Sequence, residues 1–200
     1  MIHIRSDFSS GYIYYVIQTA FPSGLAGIIE NMGTAYLGLG SNLGDRLNYL
    51  QQAVNGLACK GVVVTKVSRV YETKPWETTP GPDYLNAVIE VQTDHRPNRL
   101  LQICQAVEDE LGRERSTLWA PRSIDVDILI YDDDTIQTPE LTVPHPHLAE
   151  RAFVLAPLNE IAPKLILPDG RSVKDLLAHE MNVAQEVRVY ADGVLSLPSA

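Results

Sequence analysis

Apolar and polar positions along this chain predict a succession of strands and helices. Thr34–Leu39 reads as a short buried strand, and Gly40–Gly44 turns it. Asp45–Ala58 continues as a helix with Leu47, Leu50, Val54 and Leu57 on one stripe. Gly61 ends that connection, and the β-branched run Val62–Tyr71 predicts a strand. The proline-rich residues 73–83 predict a long loop. In Leu85–Thr93, Ala87, Ile89 and Val91 alternate with Asn86, Val88 and Glu90, as in a strand. Pro97 suits the first turn of a helix that runs to Leu111. Further on, Ile124, Val126, Ile128 and Ile130 fall on one face of a strand and Asp125 and Asp127 on the other. Val143–His147 is a proline-broken loop, and Ala149–Ile161 reads as a helix that Pro157 should kink or split. Asp169-Gly170 turns the chain into a short helix, Val173–Glu180, and Glu186–Tyr190 can add a last strand.

The order is βαββαβ followed by helices. It predicts a ferredoxin-like α+β core, an antiparallel sheet with helices packed on it. A length of 200 residues suits one such domain, and 45% hydrophobic with 20% charged residues is an ordinary globular composition. The net charge of −9 argues against a nucleic-acid binder. Cys59 and Cys104 have no CxxC or CxxH company, so both are expected to be small core residues in a reducing, cytoplasmic setting. Residues 11–29 carry no charge, but Gln18, Thr19, Pro22 and Ser23 interrupt the run, which makes a poor membrane anchor or signal peptide. The expected organisation is an extension over 1–33, with Met32 as the natural start, then a domain over 34–180 and a tail over 181–200.

Charge patterning brings chemistry into the picture between Arg113 and Tyr131. Arg113, Arg115 and Arg122 surround Trp119 in a loop that enters the strand of Asp125 and Asp127. Two strand rises separate the aspartate Cα atoms by about 6.6 Å. Like charges on one face repel unless a cation sits between them, and aspartate is a ligand for Mg²⁺. Arginines bind phosphate oxygens bidentately. Metal-binding carboxylates with phosphate-binding arginines are the equipment of phosphoryl transfer.

Other motifs are weaker alone. Gly38-Leu-Gly40-Ser-Asn-Leu-Gly44 looks like a dinucleotide fingerprint with its third glycine one residue late, and a ligand-free turn explains it equally well. His145 and His147 sit among prolines with no third ligand evident, so a phosphate contact suits His145 better than a transition metal. Trp119, Tyr84 and Phe153 could each be core. Gln105 and Glu108, three apart on one helix, would by default face solvent.

Taken together these pieces resemble the hydroxymethyl-dihydropterin pyrophosphokinase family of folate biosynthesis. The matching segments are Gly40–Gly44, Tyr71–Thr73, Pro82–Asn86, Glu108 through Gly112–Arg115, Trp119–Asp127, Val143–Pro146 and Arg151–Phe153, and the WxPRxxDxD piece is the most specific. The resemblance implies that ATP donates its β,γ-pyrophosphoryl group to the hydroxymethyl oxygen of a reduced pterin and that AMP leaves. It implies two Mg²⁺ on Asp125 and Asp127, with Arg113, Arg115, Arg122, His145 and Arg151 on the phosphates. Gln105 and Glu108 would seat the nucleotide and Trp119 would close over it. Tyr84 and Phe153 would stack on the pterin, with Asn42, Asn86 and the stretch Thr73, Pro75 and Trp76 at its polar edge. Arg113, Arg122, Asp125 and Asp127 would carry the catalysis. The expected partners are these small molecules, with no nucleic acid or membrane, and the chain is expected to be a monomer or weak oligomer. Leu118 and Glu140 stand where some relatives carry cations, which leaves the number of phosphate contacts open. A metal-dependent nucleotidyltransferase would share the aspartates but not the pterin slot. A ferredoxin-like interaction module would explain neither.

Overall fold

Nine residues of alternating burial, Gly33–Ser41, form the strand around which the rest is arranged (β1). The computed structural model describes residues 32–75, 81–113, 122–180, 186–191 and 193–198. After β1 come α1 (Arg46–Cys59), β2 (Val63–Val67), β3 (Tyr71–Thr73), β4 (Tyr84–Thr93), α2 (Pro97–Glu110) and β5 (Asp125–Tyr131). A small hairpin follows, β6 (Ile136–Gln137) with β7 (Thr142–Val143), then a 3₁₀ turn at Leu148–Glu150, α3 (Ala152–Ile161), α4 (Val173–Glu180) and β8 (Val187–Val189). The strands lie in the order β5-β1-β4-β3-β8, with β2 also on β4, and every pairing is antiparallel. This is the predicted ferredoxin-like α+β topology.

Helices cover both faces. Leu50, Ala53, Val54 and Leu57 of α1 and Leu100, Ile103, Cys104 and Val107 of α2 recur at i, i+3, i+4, i+7 and pack on Leu37, Leu39, Ile89, Val126 and Ile128. Leu47 is only partly buried at the edge of that stripe. Asp45 caps α1 by accepting from the Asn48 N–H at 3.3 Å, and Pro97 starts α2 where a missing N–H costs nothing. On the other face Val154, Leu155 and Leu158 of α3 pack with Leu148, Val88, Leu129 and Ile130.

Several expectations need correction. Val62–Tyr71 is not one strand. At Ser68 the ladder is interrupted: its N–H donates to the Val88 carbonyl at 2.9 Å and its Oγ accepts from the Val88 N–H at 2.9 Å. Pairing with β4 therefore slips in register between β2 and β3. Ile130 does not share a face with Ile124, Val126 and Ile128. The register with β1 shifts between Tyr36 and Leu37, which leaves Leu129 as an extra residue and turns Ile130 toward α3. The segment Ala149–Ile161 divides at Arg151, whose extended backbone precedes α3, whereas Pro157 is accommodated inside that helix. Cys104 is buried as expected, but Cys59 is exposed at the end of α1. Gly38 and Gly40 belong to β1, not to a turn; of the three motif glycines only Gly44 has a positive φ, 60°.

Candidate active site

The first residues of β5 organise the site. Asp125 lies opposite Gly40 and Asp127 opposite Gly38, so the two carboxylates rise beside β1 positions that have no side chain. A Cβ at Gly40 would meet Asn86 Oδ1 at 3.4 Å, and one at Gly38 would meet Leu129 at 3.3 Å. The motif glycines thus keep a floor open. Asp125 is bracketed by Arg113 Nη1 at 2.7 Å from Oδ1 and Arg122 Nη1 at 2.8 Å from Oδ2. Asp127 keeps 45% of its side chain accessible. Burial of its surroundings and the Asp125 charge hold the Asp127 carboxyl well above the usual range, and Arg151, Arg113 and Arg122 only partly offset this.

Glu108 corrects the solvated-face expectation for α2. It is buried, accepts from the Val126 N–H at 2.7 Å and pairs with Arg113. Burial raises its proton affinity, while the Val126 hydrogen bond and Arg113 oppose the shift. It ties α2 to the backbone between the two aspartates. Gln105, one turn earlier, is half-buried. On the other flank, His145 Nε2 is 4.0 Å from Asp127 Oδ2. Its Nδ1 accepts from the His147 N–H at 3.2 Å, which assigns the proton of the neutral ring to Nε2. Burial, with repulsion from Arg151 and His147, pushes this imidazole down to about 4, partly offset by Asp125. At neutral pH it is an uncharged donor aimed beside Asp127.

A cleft opens over these residues. Arg122, Asp125, Asp127 and Arg151 line it together with Thr73, Pro75, Tyr84, Asn86 and Phe153. Asn86 Nδ2 donates to Thr73 Oγ1 at 2.8 Å, which leaves its Oδ1 for other contacts, and both residues are buried. Burial raises the Tyr84 phenol; Arg122 counteracts the shift and Asp125 adds to it. Arg151 sits 5.7 Å from the Phe153 ring centroid. Asn42 is off the cleft wall. Its Oδ1 accepts from the Arg122 N–H at 2.8 Å and its own N–H donates to the Arg122 carbonyl at 3.2 Å, so it braces Arg122. Trp76, Arg115 and Trp119 lie outside the described residues. The sequence reading missed Val88, Leu129 and Lys74 on the wall. The alternation Tyr84, Asn86, Val88 could have revealed the first of them.

The donor set fits Mg²⁺ bound with a phosphate substrate. Among the described residues no three or more His, Cys, Asp or Glu side chains form a metal cage. Mg²⁺ commonly takes only one or two carboxylates and completes its shell with phosphate oxygens and water. Two carboxylates crowded on one strand face, one of them raised in proton affinity by burial and by the other's charge, are relieved by such a cation.

Residues 36–163 match the model of the 7,8-dihydro-6-hydroxymethylpterin-pyrophosphokinase (HPPK) family. The 2-amino-4-hydroxy-6-hydroxymethyldihydropteridine pyrophosphokinase of Bacillus subtilis (strain 168) is 49% identical over 64% of this chain and 77% of that protein. The enzyme of the same name from Methylorubrum extorquens is 44% identical over 74% of this chain and 93% of its own length. A crystal structure of HPPK-DHPS in complex with substrates superposes with a TM-score of 0.63 at 14% identity, over 76% of this chain, and so supports the fold. The chain spans 44% of that longer polypeptide. From residue 36 to residue 163 this chain belongs to the 7,8-dihydro-6-hydroxymethylpterin-pyrophosphokinase family.

Proposed function

We infer that this protein transfers the β,γ-pyrophosphoryl group of ATP to 6-hydroxymethyl-7,8-dihydropterin, in folate biosynthesis. The observation that carries the reading is one cleft lined by two chemistries: the charged Asp125, Asp127, Arg122 and Arg151, and the ring-binding Tyr84, Asn86 and Phe153. The pterin hydroxymethyl oxygen attacks the β-phosphorus, the bridge to the α-phosphorus breaks, AMP leaves and the hydroxyl proton is released. Two Mg²⁺, held by Asp125 and Asp127, would neutralise charge on the transferred group.

The chain's own residues do the positioning. Arg113 and Arg122, which engage Asp125, would also offer N–H donors to phosphate oxygens. Arg151 adds charge from the entrance of α3, and neutral His145 donates through Nε2. Glu108 holds Arg113 in place, and Arg115, Gln105 and Trp119 complete the nucleotide contacts. Tyr84 and Phe153 hold the flat ring, Asn86, Thr73, Pro75 and Trp76 meet its polar edge, and Asn42 acts through Arg122. Positioning and charge neutralisation then supply most of the rate, as in other phosphoryl transfers. Among the described residues no helix is long and apolar enough to cross a membrane. We further propose that the protein acts in the cytoplasm as a monomer or weak oligomer.

The pterin half of this reading separates it from nucleotidyl transfer. Calorimetric titration with hydroxymethyl-dihydropterin, in the presence of a non-hydrolysable ATP analogue and Mg²⁺, should show binding. Phe153→Ala should weaken that binding about tenfold or more, about 1.4 kcal/mol, the order expected of one aromatic contact. Absence of pterin binding to the parent protein overturns the reading.

A further inference from the structure

Arg46 opens α1 on the face of the sheet away from the cleft. Its Nη1 lies 3.0 Å from Glu72 Oε1 and donates to the Asp83 carbonyl at 2.7 Å. Glu72 immediately precedes Thr73, and Asp83 immediately precedes Tyr84. Thr73 and Tyr84 are register partners, and both line the cleft. One guanidinium nitrogen therefore joins the two chain ends at which residues 74–83 leave and re-enter the sheet. Lys74 bridges the same gap, with Nζ 3.0 and 2.9 Å from the Asp83 carboxylate oxygens. Glu72 lies opposite Leu85, which packs in the core beneath α1, so Arg46 acts from behind the sheet. The Tyr190 ring lies over its guanidinium at 6.0 Å, and the Tyr190 N–H is anchored on the Val70 carbonyl at 2.8 Å. A charge-assisted bond to a backbone carbonyl, in a side chain 24% accessible, fixes geometry better than an exposed ion pair does.

We propose that Arg46 is a positioning residue for the pterin end of the cleft: it sets the spacing of Thr73 and Tyr84 without touching substrate. The inference rests on the assignment of that end to the pterin. Small displacements of positioning groups reduce turnover and affinity disproportionately.

The test is steady-state kinetics of the full chain and four variants, Arg46→Ala, Arg46→Lys, Glu72→Gln and Tyr84→Ala, with KM read separately for ATP and for hydroxymethyl-dihydropterin. Arg46→Ala should raise the pterin KM about tenfold and leave the ATP KM within about twofold. Arg46→Lys, which keeps the charge but loses the fork, should recover part of the loss. If Arg46→Ala does not fold, Arg46→Lys and Glu72→Gln are read the same way, with an expected rise of about threefold. An unchanged pterin KM, or equal rises in both KM values, overturns the role of Arg46. An unchanged pterin KM in Tyr84→Ala instead overturns the assignment of the cleft.

Discussion

At Asp127 the fold holds a carboxyl in a place where its charge is disfavoured, first by burial and then by Asp125, and Glu108 is raised by burial in the same way. A carboxyl whose folded-state pKa is raised contributes stability that is fully present below its unfolded value, about 4, and is lost as pH rises through the raised value. The ligand-free protein should therefore lose stability as pH climbs from about 4 to about 7. Asp127→Asn removes one titrating group. Urea unfolding should find the variant more stable than the parent by about 1 kcal/mol at pH 8 and equal to it only below about pH 4, the gain discounted for the open oxygen. The same substitution should abolish turnover, by at least about a thousandfold or 4 kcal/mol of barrier. Loss of less than about tenfold would contradict a metal role for this carboxylate. The aspartates were legible because alternation placed both on one strand face. Glu108 was not: nothing in its spacing from Gln105 indicates that α2 docks this position against the Val126 amide.

Between α3 and the sheet, packing and polar ties act together. Leu155 is fully buried, and two residues before it Phe153 lines the cleft. Further along the helix, Glu160 binds Arg69 at 3.1 Å and accepts from the Tyr71 hydroxyl at 2.8 Å, which fastens α3 to the stretch running into β3. Leu155→Ala should cost about 2–5 kcal/mol of unfolding free energy, measured by urea titration. Its kcat should stay near the parent value wherever the variant is folded, because no proposed ligand contact is removed. A cost below about 0.5 kcal/mol would mean that this helix is not held by its apolar face. The helices were legible because their stripes keep a helical period; α1 and α2 differ from expectation only at their ends. What composition conceals is where a ladder slips. Ser68 and Leu129 are ordinary strand residues, and only their partners on β4 and β1 reveal the interruption and the extra residue. Pro157 did not break α3, and the division fell at Arg151 instead, where an extended residue joins the 3₁₀ turn to the helix.

Gly33–Ala200 forms one compact unit with helices on both faces of its sheet, and its tail contributes β8 beside β3. Beyond β8, Ser196 and Gln51 exchange hydrogen bonds of 2.8 and 3.0 Å, and Leu195 is buried in the core beneath α1. A chain starting at Met32 should accordingly fold with unchanged unfolding free energy and turn over like the full chain. A loss of several kcal/mol on that truncation, out of a typical total of about 5–15 kcal/mol, would show that earlier residues support the fold. Removal of residues 186–200 should be costly by the same measurement, because it uncovers the β3 edge and part of the core. For the molecule as a whole, the central claim is the bond that breaks in ATP, and product analysis tests it most directly. Incubation of the protein with ATP, Mg²⁺ and 6-hydroxymethyl-7,8-dihydropterin should yield AMP and the pterin diphosphate in equal amounts. ADP with a pterin monophosphate, or pyrophosphate with an adenylylated product, would contradict the account.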